Sequence, residues 1–499
     1  MPDTRSRSRS ARRGPFSLSD TDTDKLATRL RLAVRQARRT GTGTLASISL
    51  TLSDEVDPAA VVCASRRPGE QWFLFEQPDR GRAALAGLGE ASTLHAAGSK
   101  RFATIAERWR ELSAAAISDQ ADDPDGGAPL AMGGFAFASG GGSSPHWQGF
   151  QPASLTVPEL LLSRSERAGE RPGARPLAGA EAVVRLTLIA CASPDDTPEE
   201  LLARLQRRLG ELRVQALPLL DPAPTGRFQV ASAMPPEHYE GAVARAVELI
   251  RAGELEKIVL AREVHVHAPR AYDPAAVFGV LREEFPSCFV FCVGRGDATL
   301  VAASPELLVR REGHRVSTLA LAGSTRRSAD PAVDDHLGEQ MLRDERYREE
   351  HAIVARRIER ILRPRAIWVA AAPEPELVRI ANIQHLATPI RAQLAAPIEA
   401  LELAGLMHPT PAVGGEPLRR AAPLIPALEG LDRGWYSGPV GWTDAAGDGE
   451  FCVALRCALL RGNVARCYAG NGIVRDSDPV GELAETEVKL QALLPLLAG

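Results

Sequence analysis

The sequence predicts an α+β protein built on large, mostly antiparallel sheets. Two observations carry this. Helix-like and strand-like stretches alternate without a regular βαβ rhythm, and many strand-like runs are short and follow one another closely. There is no internal repeat. Of the 499 residues, 44% are apolar and 24% charged, an ordinary balance for a soluble globular chain with a large core.

The elements read as follows. Arg5, Arg7, Arg9, Arg12 and Arg13 sit among Ser, Pro and Gly. Residues 1–22 therefore read as a disordered basic tail, with a transit peptide as the lesser alternative, and no apolar run suits a signal peptide. Residues 23–230 form the first half of the unit. There, 24–38 and 100–116 have helical patterns, while 46–52, 72–75, 134–137 and 183–190 have strand patterns. Polar or Gly/Pro-rich stretches at 122–127, 139–145 and 164–176 read as loops.

Residues 231–499 are more regular. Tyr239, Val243, Ala246, Val247 and Ile250 share a helical face, and Gly253 ends that helix. Strands are expected at 257–266, 288–293, 300–310, 451–460 and 465–473. Asp273 caps a helix running to Glu284. A long charged helix spans 334–362, its inner face marked by Leu342, Ile353, Val354 and Ile358. Pro479 opens a last helix reaching about Leu496.

The formal net charge of −4 gives no electrostatic case for nucleic acid or an anionic membrane. No window approaches the ~18 apolar residues of a membrane helix. The seven cysteines (63, 191, 288, 292, 452, 457 and 467) are odd in number and contain no CxxC pair. That argues against a disulfide framework and a structural zinc site, and it fits a reducing cytoplasm.

Several residues could carry chemistry, although each alone has a plain structural reading. Lys257 opens the strand KIVLAR; pointing inward, it would be desolvated towards a neutral amine. Glu306 follows an apolar run, where a carboxyl with a raised pKa can donate a proton. Glu350 lies in the long helix. Glu482 and Glu485 share a face of the last helix, as a surface pair or as ligands of a hard cation. Arg456 suits a carboxylate partner, and Gly470 and Gly472 would let a ligand approach the backbone. No zinc-protease, P-loop or nucleophile-elbow spacing occurs.

Their order along the chain adds more. KIVLAR at 257–262, SPELL at 304–308, LAGST at 321–325, EEH at 349–351, HLATPI at 385–390, HPTPAVGG at 408–415, YSGPVGW at 436–442, VALR at 453–456, AGNGIV at 469–474 and ELAETEVK at 482–489 follow in series. This series resembles the chorismate-binding enzymes, which include isochorismate, salicylate, anthranilate and aminodeoxychorismate synthases. The resemblance covers roughly 235–497 and is looser before that, at GGFAF and PELLLSR. It implies two large antiparallel sheets packed together with helices outside. It also implies magnesium on Glu350, Glu482 and Glu485, and substrate contacts from Gly323, Ser324, His385, Tyr436, Arg456, Gly470 and Gly472. Ser324 stands where many members carry Thr, and Arg346–Tyr347 replaces a Lys–Asp-like pair before the EH dipeptide.

Members that use ammonia tend to carry Gln where Lys257 stands, and water, unlike ammonia, needs a base to become nucleophilic. Ala322 occupies the position of the covalent lysine of the aminodeoxychorismate branch. The resemblance therefore implies isochorismate synthesis, for menaquinone or siderophore production. It also implies Lys257 as the base that activates water at C2 and Glu306 as the acid that protonates the leaving C4 hydroxyl. The alternatives are a salicylate synthase, disfavoured by Ala412 where those members tend to have Thr, and a silent chorismate-binding protein. Chorismate is the expected partner, with no glutaminase subunit, no nucleic acid and no membrane; a cytoplasmic monomer is expected.

Overall fold

The structure, a computed structural model, describes residues 16–81, 83–119, 127–166, 182–380 and 382–499. Among these residues the strands form a 12-stranded and a 10-stranded sheet, and the ladders that build the site are antiparallel. Both halves of the chain enter both sheets. Gly69–Gln77 pairs with Phe289–Gly296 in the larger sheet, and Ala131–Phe135 with Pro439–Thr443 in the smaller.

One apolar core lies where the sheets face each other. It joins Phe73, Phe291 and Leu300 of the larger sheet to Phe135, Val440 and Phe451 of the smaller. A second core lies on the other face of the larger sheet, under the helices Asp20–Thr40 and Pro274–Glu284. The first of these helices shows how local sequence sets an element. Ser19 and Asp22 form a capping box, Leu26, Leu30, Ala33 and Val34 face inward, and Gly41 at φ 72° closes the end. The helix thus begins inside the stretch assigned to the basic tail; residues 1–15 of that tail lie outside the described residues. Residues 120–126 and 167–181 do too, and with them most of two expected loops. The rest of the third stretch is not loop: Arg164 belongs to the strand Leu160–Glu166.

Three expected elements are each divided in two. The run 300–310 is the end of Ala298–Ser304, in the larger sheet, and the start of Leu307–Glu312, in the smaller. Pro305 separates them, since it has no N–H for the ladder. The run 451–460 is likewise Gly449–Val453 in the smaller sheet and Cys457–Arg461 in the larger. The long helix is Pro331–Arg343 followed by Glu345–Leu362. Asp344 is extended between them and accepts the N–H of Arg346 as the second helix's cap. Met341, not Leu342, is the buried residue before that break. The last helix ends at Leu490, with a short turn Leu494–Leu497 beyond it.

Candidate active site

The two places where the chain passes from one sheet to the other lie side by side. Val453 N–H donates to Glu306 O at 3.0 Å, and Ala303 N–H donates to Arg456 O at 3.1 Å. Glu306 sits on one crossing and Arg456 on the other. Arg456 holds φ 47°, a left-handed conformation that costs energy for a residue with a side chain. A cavity of about 60 Å³ opens at this seam, lined by Glu306, Gly323, Ser324, Glu350, His385, Tyr436, Arg456, Gly470 and Gly472. Lys257, Glu482 and Glu485 stand behind this lining.

Lys257 begins the strand Lys257–His267 and is 1% exposed. Its Nζ donates to Glu350 Oε1 at 3.0 Å. The neighbouring strand runs alongside in register, placing Gly472 opposite Val259 and Gly470 opposite Ala261. A Cβ on Gly472 would lie 2.3 Å from Glu350 Oε1 and 2.9 Å from Lys257 Nζ. The missing side chain therefore gives the carboxylate at the cavity wall and the amine behind it their room.

Glu306 is 3% exposed. Burial pushes its carboxyl up to about 8, outweighing the opposing influence of Lys257, Arg456 and a hydrogen bond with Thr410. It is therefore a neutral acid at neutral pH. Both residues are thus buried, Glu306 in the cavity lining and Lys257 directly behind it.

Arg456 and His385 form a hydrogen-bonded pair in the same lining. Arg456 Nη2 donates to His385 Nε2 at 3.2 Å, so this nitrogen must be the unprotonated one. The other ring nitrogen, Nδ1, then donates to Gly323 O at 3.0 Å. Burial, Arg456 and Lys489 hold the imidazole well below its usual range, which keeps it a neutral acceptor. The ring thus orients the guanidinium. Gly323 takes φ 73° at a bulge in the strand Arg315–Arg326, packed against Tyr347. Tyr436 stacks on Tyr468 at 5.1 Å between centroids.

The three glutamates come from two helices. Burial and repulsion from Glu485 and Glu350 push the Glu482 carboxyl up to about 7. Burial also acts to raise Glu485, but Lys489 and a hydrogen bond from Ser324 prevail and lower it. Confined negative charge of this kind, on hard oxygen donors, suits a divalent cation in kind. The carboxylates are nevertheless partly engaged elsewhere: Glu350 with Lys257, and Glu485 with Ser324 and Lys489. Among the described residues, no three Asp, Glu, His or Cys side chains are gathered closely enough to hold a metal. Arg346, one of the departures from the family pattern, points its guanidinium at Glu482 from 4.0 Å.

Sequence reasoning missed Lys489, Asn471 and Thr410. Lys489 Nζ donates to Gly470 O at 3.0 Å, to Asn471 Oδ1 at 2.7 Å and to Glu485 Oε1 at 2.8 Å. Asn471 Nδ2 in turn donates to Glu482 O at 2.6 Å and to Glu482 Oε2 at 3.0 Å. The helical i,i+4 spacing of Glu485 and Lys489 was a readable signal. Nothing marked Thr410 beyond its place in HPTPAVGG.

The family model described as "Chorismate binding enzyme" matches residues 32–498. The chain belongs to the chorismate-binding enzyme family. Among curated relatives, the salicylate biosynthesis isochorismate synthase of Pseudomonas aeruginosa is 35% identical over 466 residues, 93% of each chain. The isochorismate synthase MenF of Bacillus subtilis is 30% identical over 432 residues, 86% of this chain and 88% of its own. The solved structure of the menaquinone-specific isochorismate synthase MenF of Escherichia coli superposes with a TM-score of 0.73 at 26% identity. It covers 95% of this chain and 99% of that one. The sheets packed together with helices outside are thus the fold of this chorismate-binding family.

Proposed function

We propose that this chain is an isochorismate synthase, an isomerase that adds water to C2 of chorismate as the C4 hydroxyl leaves. One observation carries the assignment of roles: a buried neutral acid, Glu306, and an oriented arginine line one cavity, and a buried amine, Lys257, lies directly behind its lining residues Glu350 and Gly472. The relatives named as isochorismate synthases support the same reading along nearly the whole chain.

Arg456, aimed by His385, receives a substrate carboxylate in a two-pronged pair. Gly470 and Gly472 bring bare backbone to the ring. Lys257 takes a proton from the attacking water, which it can do only with its amine free of the ion pair to Glu350. Glu306 gives its proton to the departing hydroxyl on the ring's other side. One water enters and one leaves, so the conversion is an isomerisation. Glu350, Glu482 and Glu485 are the residues that would hold a magnesium ion, once drawn closer together than they stand here and with Glu350 freed from Lys257; such an ion would neutralise and anchor a carboxylate. All seven cysteines are free and no described helix is long and apolar enough to cross a membrane, which supports placement in a reducing cytoplasm.

Incubation with chorismate and magnesium, followed by chromatography, tests the proposal. Isochorismate is the expected product. Salicylate with pyruvate would move the chain to the rival activity, and unchanged chorismate would make it a binding protein.

A further inference from the structure

A second polar cluster lies behind the cavity, and no proposed step uses it. Arg433 and Glu429 form an ion pair with the two residues 4% and 5% exposed. Arg433 Nε donates to Glu429 Oε2 at 3.0 Å, and its two terminal nitrogens reach further. Nη1 donates to Val413 O at 2.8 Å, and Nη2 to Val259 O at 2.9 Å. Glu429 Oε1 accepts the N–H of Ala261 at 2.7 Å. The guanidinium lies 4.3 Å from the Phe137 ring centroid, and Arg433 O accepts the N–H of Tyr436.

These partners are not scattered. Val259 and Ala261 are on the strand that begins with Lys257. Val413 belongs to the segment that contains Thr410, the hydrogen-bond partner of Glu306. Val259, Val413 and Tyr436 all line the cavity. A planar guanidinium with its donors in a fixed fork can join the two carbonyls and one carboxylate at set angles. A lysine ammonium has fewer donors and no such plane.

Resting on the isochorismate synthase reading, we infer that Arg433, oriented by Glu429, is a positioning residue that fixes the strand of the base Lys257 against the segment supporting the acid Glu306. Its contribution is to the spacing of the two groups across the ring. Substrate capture by Arg456 does not pass through it. Its loss therefore acts on kcat more than on KM, because a misplacement of about 1 Å can lower a rate about a hundredfold.

The test is Arg433→Lys, which keeps a positive charge beside Glu429. Three quantities are measured in parent and variant: kcat, KM for chorismate, and amide hydrogen exchange over residues 257–262 and 408–416. The inference expects kcat at least about tenfold lower, KM within about threefold, and faster exchange in both segments. If Arg433→Lys does not fold, the pair Glu429→Leu/Arg433→Met removes both charges together, a change that buried ion pairs often tolerate, and carries the same expectation. An unchanged kcat overturns the inference, and so does a KM that rises as much as kcat falls. Exchange unaltered in either segment overturns it whether or not the parent turns over. A parent that makes no isochorismate refutes the proposed function instead, and the exchange result still decides on Arg433.

Discussion

Replacing Gly472 by alanine probes the place where the proposed base and a proposed metal ligand meet. The new methyl would lie 2.3 Å from Glu350 Oε1, 2.5 Å from Lys257 Cε and 2.9 Å from Lys257 Nζ. All three are contacts too close to keep. The atoms are at or near the ends of flexible side chains, so the fold can accommodate the methyl by displacing them. Such overpacking costs about 1–3 kcal/mol, a small loss for a core of this size. The effect on catalysis is larger. Relief of the clash must move the amine, the carboxylate or both, breaking their 3.0 Å contact and shifting the amine from its place behind the cavity wall. With about 1 Å of displacement, kcat/KM should fall about a hundredfold while the melting temperature drops by only a few degrees. Gly241→Ala is the control. Gly241 lies in the helix Pro236–Arg251, a Cβ there meets nothing within 4 Å, and the exchange should stabilise by about 0.5–1 kcal/mol with full activity. Chromatographic product assays and thermal unfolding measure both effects. A Gly472→Ala protein with the parent's kcat/KM would refute the placement of Lys257 and Glu350 at the reaction centre.

Three further outcomes are expected. Lys257→Gln should abolish hydration while chorismate binding stays measurable by titration calorimetry; hydration at the parent's rate would remove Lys257 as the base. Glu306 titrates at about 8 in the folded protein against an ordinary 4.5, so between those values the native state holds the extra proton. Stability should therefore fall as pH rises through that window, and kcat/KM should fall on the alkaline side near 8. In Glu306→Gln both dependences should weaken; a parent-like pH dependence of melting in that variant counts against the buried-acid assignment. Arg456→Ala should raise KM for chorismate at least about tenfold, the loss expected for a charge-assisted hydrogen-bond pair, and an unchanged KM would place the carboxylate elsewhere.

The residue types of the site were legible because each is chemically odd where it stands. Lys257 opens an apolar strand, Glu306 follows an apolar run, and Glu482 and Glu485 share a helix face. The helix holding Tyr239, Val243 and Ile250 was equally plain, because its apolar spacing is local. The two sheet crossings were not legible. Apolar patterning continues from Leu300 to Arg310 and from Phe451 to Leu460, and which sheet a strand joins depends on partners far away in the chain. Val309 pairs with Phe451, for example, while Ala302 pairs with Cys457. Pro305 was the one local signal. The break at Asp344 was also readable, since Asp is a strong helix cap, but the charged periodicity on both sides concealed it. Arg433 had one local sign, Glu429 four residues before it. A buried arginine is recognised by its partners, and its partners Val259 and Val413 are distant in sequence.

The most direct measurement is the origin of the new oxygen. Chorismate is turned over briefly by the parent protein in heavy-oxygen water with magnesium, and the product is examined by mass spectrometry. If the proton taken by Lys257 comes from water attacking C2, isochorismate carries one heavy oxygen, at the C2 hydroxyl. Isochorismate formed with only ordinary oxygen would mean that the hydroxyl migrates within the substrate, and a water-activating base would then have no part in the reaction.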